Sequence, residues 1–184
     1  FMAIGVTFVI ATGGIDLSIG TVAICSALIG GTFMEKGTPM FIVILIMLAV
    51  GGIFGLINGI LVSHFELPAF IATLGTMMVS RGLGSIVSQT KTISFPQGNS
   101  AGAWFREIFM VTKDGGVLPK NFPTGFILLA VCAVVMAIVL NKTRLGRYIL
   151  SIGSNKEATR LSGIDVKKYE TLAYVFSGLF AALA

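Results

Sequence analysis

The sequence predicts an all-α protein, a polytopic bundle of transmembrane helices with one short coupling helix in a cytoplasmic loop. Three observations carry this. Of the 184 residues, 55% are hydrophobic and only 11% are charged, against about 25% charged in a typical soluble domain. The mean hydropathy is +0.94. Several apolar runs reach about 18 residues or more, the length at which a segment becomes a candidate to cross a bilayer. Together these exclude a soluble globular domain, a disordered segment and a secreted disulfide scaffold.

Six apolar segments follow one another, at about 1–12, 17–34, 39–62, 68–88, 124–140 and 171–184. Both ends of the chain fall inside apolar runs, so a piece of a longer protein is expected, organised as a single transmembrane domain over 1–184. No basic stretch precedes the first run and no small-residue site closes it, which argues against a signal peptide. The stretch 1–34 is too long for one straight crossing. As a helix it would run about 51 Å, against a hydrocarbon core about 30 Å thick. Gly13-Gly14-Ile15-Asp16 supplies the break.

Orientation follows from the basic residues. The connection 141–170 carries Lys142, Arg144, Arg147, Lys156, Arg160, Lys167 and Lys168, while 89–123 carries Lys91, Arg106, Lys113 and Lys120. Seven against four places 141–170 in the cytoplasm as a coupling loop and 89–123 outside as an extracytoplasmic loop. Alternation then puts 63–67 inside, 35–38 outside and the glycine break toward the inside. The net charge of +5 thus has a membrane explanation and calls for no nucleic acid. Within 89–123, Trp104, Phe105, Ile108 and Phe109 recur at helical spacing, read either as a short interfacial helix or as a plain loop. Lys113-Asp114-Gly115-Gly116 reads as a turn.

Groups for catalysis are scarce. There is one histidine, His64, and the two cysteines, Cys25 and Cys132, lie in apolar runs without metal-ligand spacing. No nucleophile stands beside a general base, and no phosphate-binding G-x-x-x-x-G-K-[ST] loop occurs. No cofactor and no metal are expected on this chain, and any ATP hydrolysis would belong to another.

The sequence offers instead polar groups inside apolar helices. A carboxylate such as Asp16 near the centre of a membrane helix costs about 2.5–3.5 kcal/mol on insertion scales. It has two compatible readings: a cap for a helix starting at Leu17, accepting backbone N–H groups, or a group on a solute pathway. Broken helices put backbone polar groups at membrane depth, where transporters build substrate sites. Gly13, Gly14, Asp16 and Ser18 are therefore candidate pathway or gate residues. Gly51, Gly55 and Gly59 share one helix face and admit a close backbone neighbour, either within the subunit or in a second one. Asn58 lies beside that face, able to hydrogen-bond across it. Thr73, Thr76 and Ser80 form a polar stripe roughly shared with Arg81, which either snorkels and pairs locally or joins a pathway. Asn58, Thr73 and Thr76 complete the candidate gate.

In the cytoplasmic connection, Ser154-Asn155-Lys156-Glu157 reads as a capping box. A short helix follows through Leu161, Gly163 supplies its stop, and Asp165 caps the next helix. Two turns of helix are marginal alone in water, so this one packs either on its own neighbours or on an external partner.

These stretches resemble a known family. Ile10-Ala11-Thr12-Gly13-Gly14-Ile15-Asp16-Leu17-Ser18-Ile19-Gly20 is similar to the G-G-I-D-L-S-[VI]-G signature of sugar-type ABC importer permeases, the membrane subunits of ribose, xylose and galactose systems. Pro68-Ala69-Phe70-Ile71-Ala72-Thr73-Leu74-Gly75-Thr76 resembles that family's next recurring stretch. So does Thr143-Arg144-Leu145-Gly146-Arg147-Tyr148, continuing through Ile152-Gly153-Ser154-Asn155 to Ile164. Glu157, Ala158 and Gly163 also resemble the broader E-A-A-x-x-x-G loop of import permeases. Thr159 replaces the second alanine and the trailing L-P is absent, departures that suit the monosaccharide branch.

The resemblance implies a multi-pass subunit of a bacterial-type cytoplasmic membrane, surrounded by lipid and working with a second permease subunit. A cytosolic ATP-binding cassette subunit would meet Ser154, Glu157, Ala158, Leu161 and Gly163. An extracytoplasmic sugar-binding protein would deliver a ribose-like monosaccharide to the outer face. The alternatives are a passive channel or facilitator, which would have no use for a capped cytoplasmic helix, and a membrane enzyme or structural bundle. The lack of catalytic groups argues against the enzyme.

Overall fold

The computed structural model describes residues 1–95 and 124–184, and among these the chain forms α-helices and no strand. In order they are α1 (Met2–Ala11), α2 (Ile19–Glu35), α3 (Met40–Ser63), α4 (Ala69–Val87), α5 (Thr124–Lys142), α6 (Arg144–Ser154), α7 (Lys156–Leu161) and α8 (Val166–Ala182). By length and composition α3, α4 and α5 can each cross a membrane. Pro39 and Pro68 stand immediately before α3 and α4, with φ of −56° and −53°, so the ring fixes the entry to each helix.

The break in the first apolar stretch lies where it was expected. Helix α1 has 10 residues and so runs only about 15 Å. Thr12 closes it, Gly13 turns the chain at φ 81°, and α2 starts afresh at Ile19. Gly14 then passes the Tyr174 hydroxyl, where a Cβ would collide.

Helices α3 and α8 form an antiparallel spine. Gly51, Gly55 and Gly59 lie against the backbone of Gly178, Tyr174 and Thr171 respectively. The glycine face therefore serves packing within the chain. Helix α2 adds Val22 and Cys25 to a buried cluster with Phe54 and Ala181. Helix α1 packs on α8 through Phe8, which meets Ala173 and Ile149 and tilts against Phe176 at 5.2 Å between ring centroids. Helix α5 has no buried residue; it touches the rest through Met136, Val139 and Leu140.

The connection 141–170, expected to hold one short helix, holds two. Helix α6 forms because Leu145, Ile149 and Ile152, spaced four and three apart, make an apolar stripe. Ile149 and Leu145 join the Phe8 cluster, and Ile149 and Ile152 are buried. The Thr143 hydroxyl caps it, accepting from the Gly146 N–H at 3.3 Å. The Ser63 and Thr171 hydroxyls meet at 2.7 Å. The end of α3, the start of α8 and the α6–α7 segment thus gather at one end of the bundle, the basic end. The aromatic run Trp104, Phe105, Ile108 and Phe109 and the turn at Lys113–Gly116 lie outside the described residues.

Candidate functional site

At the break, Asp16 is only 7% exposed, and its burial is offset by three hydrogen bonds. Its Oδ1 accepts from the Ser18 N–H at 3.0 Å and the Ser18 hydroxyl at 2.7 Å; its Oδ2 accepts from the Ser177 hydroxyl at 2.6 Å. A buried carboxylate is tolerated only when its lone pairs are so occupied. The chain of bonds continues outward. Asn58 Nδ2 donates to Ser18 Oγ at 2.8 Å, and the Thr76 hydroxyl donates to Asn58 Oδ1 at 2.6 Å. Every donor points toward Asp16, so the links polarise one another. One carboxylate thereby holds α2, α3, α4 and α8 at a common point.

Four of the seven candidate gate residues, Asp16, Ser18, Asn58 and Thr76, belong to this chain. Gly13 and Gly14 shape the turn beside it. Thr73 is fully buried one turn below Thr76 and donates to the Ala69 carbonyl at 2.7 Å instead. The capping role of Asp16 takes a different form from that expected. The following helix begins at Ile19 rather than Leu17 and receives no side-chain cap bond, since Ser18 has helical backbone angles and its hydroxyl oxygen accepts from Asn58 Nδ2 instead. Arg81 parts from Thr73, Thr76 and Ser80. Those three are buried while Arg81 is exposed, since one residue along a helix turns the side chain by about 100°.

A second branch leads to open space. The Thr21 hydroxyl donates to the Ser18 carbonyl at 2.9 Å, and the Ser80 hydroxyl donates to Thr21 at 2.8 Å. Thr21 and Ser80 line a groove of about 540 Å³ between α2 and α4, together with Arg81, Ser85, Ser88 and Lys91. Among the described residues no three His, Cys, Asp or Glu side chains gather as a metal site requires.

At the basic end, the expected capping box is replaced. Ser154 is the last residue of α6, and Asn155 is the N-cap of α7, with φ −156°, ψ 102° and its side chain accepting from the Ala158 N–H at 2.9 Å. The packing of Ile149 and Ile152 carries α6 through Ser154, which leaves Asn155 as the first extended residue. Glu157 pairs with Arg160 at 2.8 Å, both exposed. Thr159 is the buried residue of α7, Ala158 is exposed, and Leu161 is 83% exposed. Gly163 stops the turn at φ 80°. Asp165 caps α8 as expected, accepting from the Lys168 N–H at 3.1 Å.

Ser177 and Tyr174 were missed from sequence. Ser177 is buried in the last apolar segment, and the Tyr174 hydroxyl donates to the Ile15 carbonyl at 3.4 Å. A hydroxyl in an apolar helix was the available signal, as it was for Thr76. Lys156 and Glu170 were also missed. Glu170 is buried, and both its oxygens accept from Lys156 Nζ, at 3.1 and 2.8 Å.

The structure is thus a helical bundle with three helices long and apolar enough to cross a membrane and a broken helix pinned by a buried carboxylate. The chain belongs to the family described as branched-chain amino acid transport system / permease component, which it matches over residues 1–184. It is 38% identical over 183 residues to the fructose import permease protein FruG of Bifidobacterium longum, covering 100% of this chain and 54% of that protein. It is 34% identical to the ribose import permease protein RbsC of Haemophilus influenzae, with 100% and 54% covered. To the galactose/methyl galactoside import permease protein MglC of the same organism it is 32% identical, with 98% and 56% covered. The chain thus spans about half the length of these curated relatives. No solved structure matches it.

Proposed function

We propose that the chain is the central part of a permease subunit in an ATP-driven importer of a monosaccharide, set in the cytoplasmic membrane with its basic end in the cytosol. The observation that carries the ATP-driven part is α7. It stands at the basic end with Leu161 83% exposed, on a capped helix of six residues whose one buried side chain is Thr159. An exposed leucine at the tip of a capped helix is an anchor for a partner's apolar pocket. The partner is a cytosolic ATPase subunit, met by Glu157, Ala158, Leu161 and the Gly163 turn. The relatives' names, fructose, ribose and galactose permeases, support a monosaccharide as solute. Gly13, Gly14, Asp16, Ser18, Asn58, Thr73 and Thr76 frame the gate, and a second permease subunit and an extracytoplasmic sugar-binding protein complete the assembly. The bare apolar face of α5 suits lipid.

The test is a site-specific cross-link. In the full-length protein lacking other cysteines, Ser162→Cys, at an exposed position beside Leu161, should cross-link to a protein bearing a phosphate-binding loop. Normal uptake with no such cross-link would favour a passive facilitator instead.

A further inference from the structure

Among the described residues, one ion pair joins helix α7 to another helix, and its carboxylate lies on α8, the helix that also carries Ser177. Lys156 belongs to α7 and Glu170 to the second turn of α8. The pair meets at 2.8 Å with the Glu170 side chain 8% exposed and the Lys156 side chain 51% exposed. Both carboxylate oxygens are held by the same ammonium group. Lys156 therefore cannot withdraw without stranding a buried charge. The other ion pair of α7, Glu157 with Arg160, is exposed and local, so it ties the helix to nothing else.

Ser177 stands seven residues beyond Glu170 on α8, two turns and about 10.5 Å along the same face. Its hydroxyl ends on Asp16 Oδ2 at 2.6 Å. Between the two, the backbone of Thr171 and Tyr174 lies against Gly59 and Gly55, so α8 has little room to bend away from α3.

We infer that Lys156 and Glu170 are positioning residues that lock α7 to α8, so that displacement of α7 by its partner is delivered through α8 to the Ser177–Asp16 bond. A loosely attached α7 would still dock a partner but would move without moving the gate. This rests on the reading of α7 as the ATPase contact, and the experiment separates the two.

The full-length permease, assembled with its ATPase and binding protein in proteoliposomes, is prepared as wild type, Lys156→Glu, Glu170→Lys and the double exchange Lys156→Glu/Glu170→Lys. ATP-driven uptake and the Ser162→Cys cross-link are read together. The single changes should lower uptake about tenfold, on the scale of a directly coupled pair, while the cross-link persists. The double exchange should restore uptake to within about threefold of wild type, as a restored pair requires. Should the single variants fail to accumulate, Lys156→Gln/Glu170→Gln removes the clamp without a stranded charge, and the same loss of uptake with the cross-link intact is expected. Normal uptake in the glutamine pair or in the single changes overturns the inference, as does a double exchange no better than the worse single. Loss of the cross-link together with uptake in the variants also overturns it, since the pair would then serve assembly. A cross-link missing from the wild type instead sinks the reading of α7, independently of the clamp.

Discussion

The Ser177 hydroxyl donates to Asp16 Oδ2 at 2.6 Å, across 161 residues of sequence. This bond closes the broken helix onto α8. The same carboxylate takes both the N–H and the hydroxyl of Ser18, so replacing it frees several buried donors at once.

Asp16→Ala should therefore leave the Ser18 and Ser177 hydroxyls without their acceptor, at about 1–3 kcal/mol for each buried group left unsatisfied. Uptake should fall sharply and the purified protein should melt earlier in detergent. Asp16→Asn keeps an acceptor oxygen and should lie between the two. Uptake and melting of Asp16→Ala equal to wild type would show that the buried chain has no part in the gate.

The spine gives a contrast between two glycines. Gly55 lies against the Tyr174 carbonyl, whereas nothing approaches the position of a Cβ on Gly75. Gly55→Ala should push α3 off α8 and cost about 1–3 kcal/mol, the range for overpacking. Gly75→Ala, inside α4, should be neutral or stabilise by about 0.5–1 kcal/mol. Thermal unfolding of the two variants side by side checks the pair.

At the basic end, the caps rank the substitutions. Asn155→Ala should cost about 0.5–2 kcal/mol of local helix stability and weaken the cross-link at Ser162→Cys. Ser154→Ala should leave both nearly unchanged, because Ser154 ends α6 and does not cap α7. Gly163→Val should be harsher than Gly163→Asn, since φ 80° suits a β-branched side chain poorly. Equal effects of Ser154→Ala and Asn155→Ala would contradict the assignment.

Orientation is checked with impermeant thiol labelling in a background lacking Cys25 and Cys132. A cysteine at Lys36, in the exposed turn between α2 and α3, should label in intact cells. One at Ser162 should label only after lysis. The reverse pattern would invert the orientation and remove α7 from the cytosol.

Much of this arrangement was legible because polar residues in apolar helices are costly and so announce a purpose. The need for a break followed from length, Gly13-Gly14-Ile15-Asp16 gave its place, and Asn58 and Thr76 stood out against their neighbours. Ser177 did not, because its segment was read for apolarity and the bond partner lies at the far end of the chain. Helix α6 was hidden by the trait that oriented the loop. Arg144 and Arg147 marked the segment as a basic connection and masked the stripe of Leu145, Ile149 and Ile152. The choice between Ser154 and Asn155 as cap was not local either. Both are good N-caps, and the packing of α6 against Phe8 and Ala173 decided it.

The most direct test of the account is solute uptake by the full-length permease in proteoliposomes with its ATPase and sugar-binding protein, ribose and fructose being offered in turn. Accumulation of one of these sugars above its outside concentration, strictly dependent on ATP inside the ATPase-facing compartment, is the result expected. Equilibration of the sugar to equal concentrations without ATP and without the ATPase subunit would contradict it and identify a passive facilitator.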